Sequence, residues 1–131
     1  MEDKEFSSED LDQADKLYEE AKEDYQTGEY KLAIQKLDKA IELNDVEAMY
    51  FYERGHAKDE LEDYKGAEED FTEAIRSAMG EEEDLIANGY YARGTIRLDL
   101  GNKKGAFEDW TRAAEMGREN AKKALEEYFK K

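Results

Sequence analysis

The sequence has no cysteine and no proline, one histidine and one tryptophan. Without cysteine there is no disulfide framework, no thiolate zinc site and no thiol nucleophile, and the redox compartment leaves no mark on the chain. Runs of apolar residues are also missing. None approaches the ~18 residues a membrane span needs, and the opening MEDKEFSSED is acidic and polar rather than signal-like. The chain therefore reads as a cytoplasmic protein without an export signal. Basic residues are in deficit: 20 Lys and Arg against 36 Asp and Glu leave a formal charge of −16, which repels phosphate backbones and anionic lipid headgroups. Nucleic acid and membranes are poor partners for such a surface. The charge serves solubility or a surface for basic ligands.

Signs of catalysis are scarce as well. There is no GxxxxGK[ST] run and no strand-linked GxGxxG. The single His56 has neither a second histidine nor a cysteine to share a metal with. Adjacent acids such as Asp59-Glu60 and Glu68-Glu69 read as solvated helix faces rather than acid–base pairs. We expect no enzyme, no catalytic residue, no metal and no cofactor.

What is present is helix-forming sequence. Ala, Leu, Glu and Lys dominate and β-branched residues are sparse. Three segments align without gaps: GEYKLAIQKLDKAI at 28–41, EDYKGAEEDFTEAI at 62–75 and GNKKGAFEDWTRAA at 101–114. Their central alanines, Ala33, Ala67 and Ala106, are 34 and then 39 residues apart, a 34-residue period with a five-residue insertion. Tyr30, Ala33, Ile34, Leu37, Ala40 and Ile41 recur at helical spacing on one face. Their counterparts are Tyr64, Ala67, Phe71, Ala74 and Ile75, then Ala106, Phe107, Trp110, Ala113 and Ala114, with Glu68 in place of one apolar residue and Lys103 in place of the tyrosine.

A partner helix precedes each segment: Leu17-Tyr18…Ala21…Tyr25, Phe51-Tyr52…Gly55…Leu61 and Tyr90-Tyr91…Gly94…Leu100. The small residues Ala21, Gly55 and Gly94 share one register, where a larger side chain would hold two helices apart. Gly28-Glu29, Glu62-Asp63 and Gly101-Asn102 supply short turns between antiparallel helices.

This order of small residue, turn, Tyr, Ala, large apolar residue and Ala resembles the tetratricopeptide repeat over about residues 14–131. The resemblance implies an all-α fold, a right-handed superhelical stack of antiparallel helix pairs with about seven helices. Residues 1–7 would be a disordered leader and 8–131 a single domain, with repeats at about 14–47, 48–86 and 87–120 and a capping helix at 119–131. Two departures concern the first helix, where Glu20 and Asp24 stand at positions the family usually fills with apolar residues. The usual closing proline is also missing from every unit.

Outside the repeats, Ser7-Ser8-Glu9-Asp10 offers either a helix cap or an acidic-directed phosphorylation site. Gly80 suits a helix stop, and Glu81-Glu82-Glu83-Asp84 suit the positive end of the next helix, which should start about a turn early. Ala121, Ala124, Leu125, Tyr128 and Phe129 form the apolar stripe of a last helix. The run AAEMGRENAKKALEEY at 113–128 is similar to the junctions of Sel1-like repeats.

The resemblance further implies that the first helix of each pair lines a concave groove. It assigns to that groove Asp15, Tyr18, Lys22, Tyr25 and Gln26; Met49, Tyr52, His56, Asp59 and Glu60; and Asn88, Tyr91, Thr95, Leu98 and Asp99. We take Tyr18, Lys22, Tyr25, Met49, Tyr52, His56, Asn88, Tyr91 and Thr95 as the partner-binding set, with Tyr18, Tyr52 and Tyr91 as a ladder. The basic clamp with which family members hold a C-terminal carboxylate is absent, since Tyr18, Lys22, Glu53, Asn88 and Ala92 stand at its positions. The expected partner is a protein or peptide, basic and apolar rather than acidic, held by an adaptor or scaffold that is monomeric or homodimeric. Self-association through the last helix, with Phe129 covered by a second copy, is the alternative.

Overall fold

The computed structural model describes residues 6–78 and 82–129. Expectations for residues 1–5, for Gly80 and Glu81 and for the last two lysines lie outside the described residues. Seven helices follow one another: α1 (Ser8–Gln26), α2 (Tyr30–Leu43), α3 (Ala48–Glu60), α4 (Tyr64–Ser77), α5 (Glu83–Asp99), α6 (Lys103–Glu115) and α7 (Glu119–Phe129). Each helix packs on the next, and α1 also touches α3 as α3 touches α5. The first helices of successive pairs thus form one continuous inner layer, which makes the stack a superhelix with a concave side.

Local chemistry sets the ends of the helices. The Ser7 hydroxyl accepts the backbone N–H of Asp10 at 3.0 Å, so the serine cap is formed. Asp63 and Asn102, equivalent residues, accept the N–H groups of Gly66 and Gly105 at 3.0 and 2.9 Å. α5 begins at Glu83, four residues ahead of Ala87, whose counterpart Ala48 opens α3; the early start is as expected. Asp84 in this added turn accepts a hydrogen bond from Arg118, which ties it to the α6–α7 turn.

The turns inside the three pairs place Gly28, Glu62 and Gly101 at φ of 84°, 63° and 84°. Glycine takes this left-handed conformation freely, whereas an L side chain pays about 1–2 kcal/mol for it. Glu62→Gly should therefore stabilise the protein by about 1 kcal/mol, read as a higher urea midpoint with an unchanged slope.

The helices cross closely where the small residues stand, and the small residue scales with what faces it. Ala21 shares a buried cluster with Leu37. At Gly55 an added Cβ would lie 2.9 Å from the Phe71 ring, and at Gly94 it would lie 2.6 Å from Cδ1 of Trp110. Leucine thus leaves room for alanine, while phenylalanine and tryptophan require glycine.

Glu20 and Asp24 do not weaken α1, because Lys36 of α2 pairs with both, at 3.6 and 2.8 Å. Equivalent positions in the later units carry the same arrangement with signs reversed. Arg54 grips buried Asp70 with two hydrogen bonds of 2.8 Å, and Lys58 joins at 3.1 Å. Arg93 grips buried Asp109 with two of 2.9 Å, and Arg97 joins at 3.1 Å. These arginines also reach back to the preceding unit, Arg54 to Asp38 at 2.8 Å and Arg93 to the Thr72 hydroxyl at 3.0 Å. Glu68, the acid in the apolar stripe, accepts from Arg97 at 2.8 Å.

At the C-terminal end the pattern gives out. Phe107 and Tyr128, both placed on apolar stripes by their spacing, are 47% and 56% exposed. Among the described residues no further repeat follows to cover them. Phe107 meets the edge of Phe129, and Tyr128 leans on Trp110.

Candidate functional site

Three linked hollows run along the inner layer. The central one, about 370 Å³, lies between α3 and α5 over Phe71 and is lined by Tyr52, His56, Asp59, Asn88, Tyr91 and Thr95, with Asn120 of α7 at its margin. Tyr52 and Asn88 also line a neighbouring hollow of about 610 Å³ with Met49, Leu85 and the acids Glu82, Glu83 and Asp84. Tyr91 and Thr95 line a third, about 360 Å³, with Leu98, Asp99, Trp110 and the outer residues of α7. The fold thus brings Met49, Tyr52, His56, Asn88, Tyr91 and Thr95 together. Tyr18, Lys22 and Tyr25 stand on α1, outside these hollows.

The three tyrosines of the expected ladder lean on different aromatic rings. Tyr18 meets Tyr50 with 5.2 Å between centroids, Tyr52 meets Phe71 at 5.8 Å and Tyr91 stacks on Trp110 at 6.4 Å. Each is half-buried, so each divides its surface between packing and groove. Lys22 sits over the Tyr18 ring at 4.6 Å, a cation–π contact. Burial, reinforced by Glu53, pushes the Tyr18 pKa up to about 12. Tyr25 donates its hydroxyl proton to Glu60 at 3.2 Å, and burial followed by that carboxylate lifts its pKa to about 12. Both hydroxyls therefore remain hydrogen-bond donors at any physiological pH.

Tyr50 lies outside the register that singles out the groove residues. It is 1% exposed and donates its hydroxyl to Asp15, which joins α3 to α1. Asp15, expected at a groove edge, is therefore engaged in structure. Asn120 and Phe71 were also missed, because they come from a second helix and from α7 rather than from the first helices that the register singles out.

Electrostatics separate the two sides of the site. His56 is wedged edge-on between Tyr52 (4.6 Å) and Phe71 (4.9 Å). Burial outweighs the nearby Glu60 and holds the His56 pKa below its usual value, so the imidazole is neutral at pH 7. The carboxylates move the other way. Burial raises the Glu53 pKa, with Lys22 opposing, and burial together with Glu60 and Asp99 raises that of Asp59. Glu60 and Asp99 are the last residues of α3 and α5, where the helix dipole is already negative. The site is an aromatic trough with acids at both ends, Glu82, Glu83 and Asp84 at one and Asp59, Glu60 and Asp99 at the other.

Among the described residues no group of His, Asp and Glu is placed to hold a metal ion, and no helix is long and apolar enough to cross a membrane.

Three antiparallel helix pairs in superhelical register, closed by α7, give this chain the fold of tetratricopeptide repeat domains, an all-α helical repeat stack. It is similar to the Arabidopsis OM64 TPR domain, at 26% identity over 90% of this chain and 95% of that one, with a TM-score of 0.81. It is similar also to the second TPR domain of the human RPAP3 protein, solved in complex with HSP70 peptide SGPTIEEVD (24% identity, 93% and 99% covered, TM-score 0.82). The N-terminal domain of stress-induced protein-1 from C. elegans superposes equally well (17% identity, 92% and 98% covered, TM-score 0.83). No protein-family model and no curated protein matches the sequence.

Proposed function

We propose that the chain is a cytoplasmic, non-enzymatic interaction module that holds a basic and apolar peptide or helix of a partner protein in its concave, tyrosine-lined groove. The observation that carries this reading is the pairing of an aromatic floor with unneutralised acids. Tyr52, Tyr91, His56 and Phe71 surround the central hollow, while Asp59 is crowded by Glu60 and Asp99. An incoming Lys or Arg relieves that repulsion, and an acidic segment worsens it. A similar domain is solved with an acidic-ended HSP70 peptide, so the fold accommodates peptides. In this chain Tyr18, Lys22, Glu53, Asn88 and Ala92 stand where a carboxylate clamp would have its polar and basic groups, and the neutral His56 adds no positive charge.

The test reverses charge without touching the aromatic packing. Glu53→Lys/Asp59→Lys/Asp99→Lys should retain its helicity and weaken binding of basic-apolar peptides from a display library by at least tenfold. A groove variant that keeps full affinity for every peptide the wild type selects would reject the reading.

A further inference from the structure

The two faces of α5 carry opposite chemistry. At 3.6 residues per turn, Ile86, Tyr90 and Arg93 lie opposite the groove residues Asn88, Tyr91 and Thr95. They open on a separate hollow of about 450 Å³ between α4, α5 and α6, walled by Ile75, Ile86, Tyr90 and Met116 and edged by Arg76, Arg93 and Arg112. No carboxylate lines it. Each groove hollow, by contrast, includes at least one, namely Asp84, Asp59 or Asp99. In a chain of net charge −16, an arginine-edged hollow runs against the composition.

The three guanidinium groups are not equivalent. Arg93 is occupied by Asp109 and Thr72. Arg76 is exposed and paired with Glu73 of its own helix at 2.7 Å. Arg112 lies over the Tyr90 ring at 5.2 Å and, among the described residues, makes no ion pair. Stacking on a ring occupies the flat face of a guanidinium and leaves its N–H edge pointing outward, the geometry that receives a carboxylate.

Comparison along the repeat shows that this charge is not required by the scaffold. One unit earlier, Phe51 replaces Tyr90 and Arg54 replaces Arg93, so the frame is kept. The positions of Thr72, Arg76 and Arg112 are there Asp38, Glu42 and Glu73. The rim has changed sign between two junctions that fold alike.

We propose that this hollow is a second docking surface, for a segment of a partner protein that carries a carboxylate next to a large apolar side chain. The apolar group enters over Ile75 and Ile86, and the carboxylate meets the outward edge of Arg112 with Arg76 beside it. The surface lies on the opposite side of α5 from the groove and does not depend on what the groove holds.

Selection from a display library of random octapeptides, with the wild type and Arg76→Glu/Arg112→Glu as baits, tests it. Both arginines are exposed, and retained helicity and thermal midpoint confirm that the variant folds. The wild type should enrich acidic-apolar peptides whose affinity falls at least tenfold in the variant and also falls as salt is raised, while peptides lost in the groove variant remain bound. Failure to enrich acidic-apolar peptides, or equal binding of them by both baits, would overturn the proposal. A concentration-dependent sedimentation of the wild type that the variant abolishes would also overturn it, assigning the hollow to a second copy of the chain.

Discussion

Asp109→Ala should lower the unfolding free energy by about 3–5 kcal/mol, the usual cost of removing one partner from a buried ion pair. For a chain of this size that is a fall in Tm on the order of 10–20 °C, checked by thermal and urea denaturation. The size of the effect follows from what would be left behind. Asp109 is 3% exposed and receives three hydrogen bonds, two from Arg93 and one from Arg97. Arg93 would keep only the Thr72 hydroxyl, and Arg97 only Glu68. Both guanidiniums would stay charged and half-buried, because arginine does not give up its proton at accessible pH. Asp38→Ala, in contrast, removes an exposed acid from an arginine that still holds Asp70, and should change stability by no more than about 1 kcal/mol.

The same pairs show what the sequence disclosed and what it hid. Helix register, the close crossings at Gly55 and Gly94 and the early start of α5 all follow from spacing, because apolar periodicity and small-residue placement are written in one dimension. The ion pairs are not. Arg54, Asp70, Arg93 and Asp109 sit on amphipathic helices where charge ordinarily means solvent, and nothing in a single helix says that an aspartate is buried. A signal did exist: Glu20 and Lys36, Arg54 and Asp70, and Arg93 and Asp109 are each 16 residues apart with opposite signs. Reading it requires aligning charges across repeats rather than apolar residues. Arg54 and Arg93 each reach the preceding unit as well as their own, whereas at the equivalent positions of the first unit the signs are reversed.

The groove was legible to a different degree. Register placed Met49, Tyr52, His56, Asn88, Tyr91 and Thr95 on first helices, and those helices pack side by side, so the residues converge. Tyr18 and Tyr25 obey the same register but meet Tyr50 and Glu60, partners that no periodicity in α1 announces. Phe107 and Tyr128 illustrate the opposite failure: a stripe pattern assumes that another layer follows, and at the end of the described stack that layer is α7 alone.

Trp110→Ala should cost about 3–5 kcal/mol and should release α7 before the rest of the molecule. Trp110 is 2% exposed and ties its own helix, α6, to two others. It stacks on Tyr91 of α5, donates its indole N–H to the Tyr91 carbonyl at 3.2 Å, and meets Tyr128 and Phe129 of α7. Ala121 and Ala124, the buried residues of α7, belong to the cluster that Trp110 anchors. Alanine side chains hold little surface of their own, so α7 relies on large neighbours, Trp110 among them, for its apolar contact. In a stack where each helix contacts mainly its neighbours, the loss stays near the end where it occurs. Amide exchange in 119–129 should therefore accelerate far more than in α1 and α2, through a local opening rather than a global one. Gly94→Ala should reach the same end from the opposite direction, since its Cβ falls 2.6 Å from Cδ1 and 2.8 Å from Nε1 of Trp110 and displaces the indole from Tyr91. Equal acceleration at both ends of the chain in either variant would show that the domain unfolds as one unit and that Trp110 does not hold α7 separately.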